Sequence, residues 1–161
     1  MTPRAVEPGK APTIDQQAPS QKYPIVQRLN AKLKVLGNYL LKKTSSAVLQ
    51  LHGAAQETRR VEHPVLKGIN GTQTGASWEF LLGFYDGNST VLLSNQDSDH
   101  PALASLTLAH GAALREVDGS SGAVVAAVDD SPLLQGFQVS LLPGDARLLL
   151  LGPVPGEASH A

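Results

Sequence analysis

Asn95, Asp97 and Asp99 alternate in the run NQDSD, the spacing with which a calcium loop begins. Such a loop also needs a glycine at its sixth position, for a sharp turn, and a bidentate acid at its twelfth. Here those places hold His100 and Leu106, so the motif is incomplete and the run reads as a polar turn between strands. The residues leave a looser calcium site open. Ser98, Asp99 and His100 are neighbours in the chain, but a hydrolytic triad is a spatial constellation. Adjacent side chains on one loop rarely aim at a common atom.

No G-x-S-x-G elbow, G-x-G-x-x-G turn, phosphate-binding loop or H-E-x-x-H pair occurs in the chain. The five histidines, His52, His63, His100, His110 and His160, never fall at i, i+4 or in an H-x-H pattern, so no metal site is expected. Glycoside hydrolysis needs two carboxyl groups in environments that push their pKa values apart. Glu79 and Glu116 lie on expected strands, and Asp86, Asp129, Asp130 and Asp145 lie in expected turns; no spacing brings any two together. No catalytic residue and no cofactor is assigned.

Sugar-binding modules stack their ligands on exposed aromatic rings. Of seven aromatic side chains, Trp78, Phe80, Phe84 and Phe137 are best used as core, leaving Tyr85, Tyr39 and Tyr23. The carbohydrate-binding set that the sequence offers is therefore Tyr85 with the loop residues Asn70, Gln73 and Asp97.

The elements that must position these residues are mostly short strands. In LLGFYDGNSTVLLSNQD, Asp86-Gly87 suits the two central places of a type I′ turn, where φ is positive. Centred there, a hairpin pairs Tyr85 with Asn88, Leu82 with Val91 and Phe80 with Leu93. One face then collects Trp78, Phe80, Leu82, Phe84, Val91 and Leu93, which is a sandwich core, and turn geometry explains Asp86 without catalysis. Further strands are expected at Ser46–His52, Ala102–Ala109, Ala112–Asp118, Ala123–Val128, Gly136–Leu142 and Arg147–Leu151, each bounded by turn residues. The run Leu148–Leu151 reads as a strand covered on both faces. Gly53 to Ser77 is too long for a structureless loop; it hides a short edge strand near Val65 or packs against something else.

Upstream, Val26, Leu29, Leu33, Leu36 and Leu40 recur at helical spacing to about Lys43. Arg28, Lys32, Lys34 and Lys42 fall mostly off that stripe and read as a solvated face. The stripe must lie on the following domain or on a neighbour. The reading is thus an all-β, antiparallel, Ig-like β-sandwich of about eight strands preceded by one amphipathic α-helix. Its divisions are a disordered leader (1–22), the helix (23–43), the sandwich (44–152) and a disordered tail (153–161).

A net charge of −1 offers no basic field to displace counterions, so no nucleic acid and no acidic membrane surface is expected as partner. The absence of cysteine removes disulfides and thiolate chemistry and leaves the compartment unassigned. No stretch near the N-terminus has the apolar length of a signal peptide or anchor.

The order of these features resembles a known arrangement. A helix YPIVQRLNAKLKVLGNYLLKKTSS leads into AVLQLHG, then a long loop, LLGFYDGNSTVLLSNQD, ASLTLAHGAALREVD and a closing VSLLPGDARLLLL. This resembles the C-terminal β-sandwich of bacterial β-galactosidase-like glycoside hydrolases, over about Tyr23 to Leu151. The likeness rests on short, structural motifs such as Pro143-Gly144-Asp145 with Arg147 and Leu148, and Asn38 stands where a proline would be expected. In such enzymes a (β/α)₈ barrel carrying the catalytic glutamates comes first, so no catalytic residue carries over. The resemblance implies a non-catalytic accessory domain that buttresses a barrel or an oligomer through the helix stripe and the Gly53–Ser77 segment. A stand-alone carbohydrate-binding module, with polysaccharide as partner, is the alternative, and a small glycan-active enzyme the second.

Overall fold

The computed structural model describes residues 23–73, 77–87 and 89–152, with Tyr23, Ile25 and Gln73 described by their backbone alone. The expected leader, the tail and the pairing of Asn88 lie outside the described residues. Helix α1 spans Tyr23–Leu40. Pro24 sits in its first turn, where a missing N–H costs nothing because no intrahelical acceptor precedes it. The helix ends earlier than the sequence suggests, at Leu40, and Lys43 closes the exit by donating its N–H to the Leu40 carbonyl at 2.9 Å.

Ten strands follow: β1 (Ser45–Ala54), β2 (Arg59–Arg60), β3 (Leu66–Gln73), β4 (Ser77–Tyr85), β5 (Thr90–Asn95), β6 (Ala102–Leu108), β7 (Leu114–Val117), β8 (Val124–Ala126), β9 (Phe137–Leu141) and β10 (Ala146–Leu151). They form two antiparallel sheets packed as an open sandwich, one of six strands in the order β1-β4-β5-β10-β7-β8 and one of four in the order β2-β3-β6-β9. The expected sandwich and helix are present, with ten strands among the described residues instead of about eight.

The inner faces meet around Trp78 and Phe80, stacked with ring centroids 5.1 Å apart, and Leu82, Phe84, Val91 and Leu93 join them in the core. Each such buried side chain contributes about 1.5–3 kcal/mol over its exposed state. The hairpin register differs from expectation: Tyr85 pairs with Thr90, Leu82 with Leu93 and Phe80 with Asn95, across a longer loop. Asp86 and Gly87 do take positive φ, 52° and 64°. The shift moves the pairing by two residues, and because strand faces alternate with period two, the same side chains stay inside.

The Gly53–Ser77 segment is no loop. It supplies β2 and an eight-residue β3 that pairs with β6 from Leu66 to Gln73 and lies inside the four-stranded sheet. Gly71 is what allows the sheets to close here: a Cβ on it would stand 2.7 Å from Cγ of Trp78 and 2.8 Å from Cε2 of Phe80.

The helix packs on the outer face of the six-stranded sheet. Leu36 is buried against Val117, Leu148 and Leu150, with Tyr39, Leu40 and Leu92 around them. Strand β10 therefore faces apolar neighbours on both sides, Leu149 and Leu151 inward and Leu148 and Leu150 under the helix, as its leucine run suggests.

Candidate functional site

The polar residues that the sequence singles out fall into separate clusters. At one end of the sandwich, buried Asn95 donates its amide N–H to the carbonyls of His100 (2.9 Å) and Leu142 (3.2 Å) and accepts the Asp97 N–H at 3.1 Å. Asp97 in turn accepts the N–H groups of Asp99 (2.7 Å) and His100 (3.0 Å), and its other oxygen lies 3.0 Å from Nδ1 of His100. The Asp99 N–H above all, with His100 adding, holds the Asp97 carboxyl below the usual carboxylate range against a smaller desolvation effect. The calcium-like alternation is thus accounted for by side chains that close the turn between β5 and β6. The Pro143-Gly144-Asp145 turn docks onto this loop, Gly144 N–H donating to the Asp97 carbonyl at 2.8 Å.

Asp145 reaches the other way. Its side chain is 7% exposed, and Oδ1 meets Nζ of Lys32 on α1 at 2.9 Å. Lys32, expected on the solvated face, lies on the packed one. The cause is local: Gly119 leaves room for the lysine stem, since a Cβ there would fall 2.6 Å from its Cγ.

Carboxylates do converge, contrary to expectation, at Arg147. Its guanidinium forms two bonds to Glu116 (Nε–Oε1 2.7 Å, Nη2–Oε2 2.8 Å) and reaches Asp130 at 2.6 Å and the Ser140 carbonyl at 3.2 Å. Arg147 and Glu116 belong to the six-stranded sheet and Ser140 to the other, so the cluster ties the two sheets together. The bidentate bond to Glu116 raises the guanidinium pKa above its ordinary value, outweighing partial burial. Desolvation alone would raise the Asp130 carboxyl, but the Ser140 N–H and Arg147 together bring it below the usual range. Two acids fixed on one guanidinium offer neither a proton donor nor a free nucleophile. Glu79 is far from them in role, accepting from the Gln50 amide at 2.6 Å.

The carbohydrate set is divided. Tyr85 lies on the outer face of β4, its ring beside Gly83, whereas Asn70 lies on the outer face of β3 in the other sheet and donates to Thr58 Oγ1 at 3.3 Å. Asp97 is in the turn described above, and the Gln73 backbone ends β3 opposite Ala102. Tyr85 and Asn70 face away from each other across the sandwich and form no common platform. Buried His63 stacks on Phe84 with centroids 5.4 Å apart. Its Nδ1 accepts the N–H groups of Val65 and Leu66, each at 3.0 Å, so the hydrogen sits on Nε2. Among the described residues no three His, Asp or Glu side chains gather into a group that could hold a metal ion.

At the open side of the sandwich lies a mainly apolar cleft of about 310 Å³, lined by Ala47, Leu49, Leu51, Phe84 and His63 together with Arg60 and Glu62. The chain matches no family model, no curated protein and no solved structure.

Proposed function

We propose that the chain is a non-catalytic β-sandwich that holds a neighbouring domain against its N-terminal helix, and that the neighbour is the (β/α)₈ barrel of a glycoside hydrolase or a further copy in an oligomer. One observation carries this reading. The flank of α1 turned from the sheet still presents Val26 and Leu33, 49% and 48% exposed, and beyond the helix end Leu41 is 82% exposed. Val26 and Leu33 lie seven residues apart at the uncovered margin of the stripe that also carries Leu29, Leu36 and Leu40, and Leu41 directly follows the last helical residue. Covering the two half-buried side chains contributes about 1 kcal/mol each and Leu41 about 2 kcal/mol. The barrel itself rests on the resemblance of the sequence. The ionic clusters support the non-catalytic part, because each acid in them has a structural partner.

The test is binding of an environment-sensitive fluorescent dye to the full chain and to a Val26→Lys/Leu33→Lys/Leu41→Lys variant. Strong fluorescence that the variant loses supports the reading; no binding, or equal binding by both, refutes it. Turnover of chromogenic galactosides or glucosides by the purified chain would equally refute it.

A further inference from the structure

We propose that β1 pairs antiparallel with β1 of a second copy of this chain, across a two-fold axis that passes at Leu49. A sheet edge with free N–H and C=O groups is a template for another strand, and folded proteins blunt such edges. Three of the four edges here are blunted. β2 has two residues and β8 three. The edge of β9 is capped by its own chain: Gln138 and Ser140 donate their N–H groups to the carboxylates of Asp129 (3.3 Å) and Asp130 (2.8 Å), and the Asp130 N–H returns to the Gln138 carbonyl. β1 is different. It runs for ten residues with no proline and no Lys, Arg, Asp or Glu.

Its open window can be located. The Asp86 N–H bonds the Thr44 carbonyl, and one register irregularity follows at Ser45/Ala47. Alternation of the antiparallel ladder then turns the backbone groups of Ala47, Leu49 and Leu51 toward β4, and those of Val48, Gln50 and His52 toward the free edge. From His52 onward the chain covers itself. Arg59 Nε donates to the His52 carbonyl at 2.9 Å, and the Ala54 N–H is taken by Glu57. Among the described residues, Val48 and Gln50 keep two donors and two acceptors open.

That window is self-complementary, which selects a second copy as occupant. With Leu49 on the axis, Val48 faces Gln50 of the other copy and Gln50 faces Val48, so the open groups form four hydrogen bonds. His52 falls opposite Ser46, and no like charges meet. On the inner face the second β1 brings its own Ala47, Leu49 and Leu51 beside the same three residues, closing the mouth of the lateral cleft they line. This surface is separate from the helix flank.

Because the chain has no cysteine, a single introduced thiol reports the axis. A position on the axis in a non-hydrogen-bonded pair brings its two Cα atoms to about 4.5 Å, within disulfide range. In the Val26→Lys/Leu33→Lys/Leu41→Lys background, which silences the helix flank, Leu49→Cys should form a disulfide-linked dimer under mild oxidation. It should do so about tenfold faster than Val48→Cys, whose thiol faces Gln50 and not its own copy. Gln50→Pro in the same background removes an edge N–H but no bond to β4, and should yield a folded monomer. Equal or absent cross-linking of the two cysteine variants overturns the proposal, as does a folded Gln50→Pro chain that stays dimeric. Should Gln50→Pro fail to fold, the cysteine comparison decides alone. Loss of dye binding by the helix variant with no cross-linking would refute the β1 pairing while leaving the helix reading intact.

Discussion

Lys32 and Asp145 stand 113 residues apart in sequence and 2.9 Å apart in space, joining the first element of the fold to the turn before its last strand. The pair fixes the helix on the six-stranded sheet at the point where Leu36 enters the apolar cluster with Val117, Leu148 and Leu150. Without Lys32 the buried Asp145 carboxylate keeps the Ala146 N–H at 2.8 Å but loses its counter-charge. Lys32→Ala should therefore lower the unfolding free energy by about 3 kcal/mol, the order seen when one member of a buried pair is removed. Denaturant unfolding of the variant measures this; a change within 0.5 kcal/mol, roughly the range of ordinary surface substitutions, would show that the pair is dispensable.

Arg147 is placed so that only a guanidinium serves. Its forked donors reach Glu116 through two nitrogens and Asp130 through the third. Arg147→Lys keeps the charge but cannot make this set of bonds. It should destabilise the chain by about 2–3 kcal/mol, and Arg147→Met by more, because both acids then lose their counter-charge. Thermal unfolding followed by circular dichroism distinguishes the two.

Gly71 allows close approach of β3 to the Trp78 and Phe80 rings. Gly71→Ala places a methyl group where both rings already stand, 2.7 and 2.8 Å away. Overpacking of this kind costs about 1–3 kcal/mol. Trp78 is the chain's only tryptophan, so its emission should shift to the red if the sandwich opens around the new methyl group.

Asp118 anchors the turn between β7 and β8, and the Ser120 hydroxyl first, with the N–H groups of Ser120 and Ser121, lowers its pKa to about 2. The folded value lies below the unfolded one, so the contribution of this carboxylate is present above the unfolded pKa near 4 and is lost as pH falls through about 2. Asp86, held low mainly by Lys43, changes in the same direction. A carboxyl titration by NMR should place the Asp118 midpoint at about 2, and Ser120→Ala should raise it; a midpoint near 4 in the unaltered chain would contradict the turn geometry.

Much of the fold can be read in the sequence because strand patterning is local. The inner face of the β4–β5 hairpin follows from alternation alone, and the double coverage of β10 follows from its unbroken leucines. β3 escapes the same reading because Gly68 and Gly71 remove side chains from the alternating pattern; a glycine required by a ring in a distant strand looks like a loop residue. The hairpin register escapes because Asp86-Gly87 fixes the backbone at the turn without fixing how many residues the loop contains. Polar partnerships are less legible still. Nothing near Lys32 marks it as the partner of Asp145, and Glu116, Asp130 and Arg147 meet only because their strands and the connecting loop are brought to the same end of the sandwich. The edge of β1 could be anticipated only once the order of strands was known.

The central claim is that the remaining apolar flank of the helix holds a neighbour. Light scattering of the full chain at increasing concentration addresses it, with the Val26→Lys/Leu33→Lys/Leu41→Lys variant alongside. The account predicts a mass that climbs with concentration and falls at matched concentration in the variant, whose circular dichroism stays that of the parent. A parent mass that is constant with concentration and identical to that of the variant would contradict it.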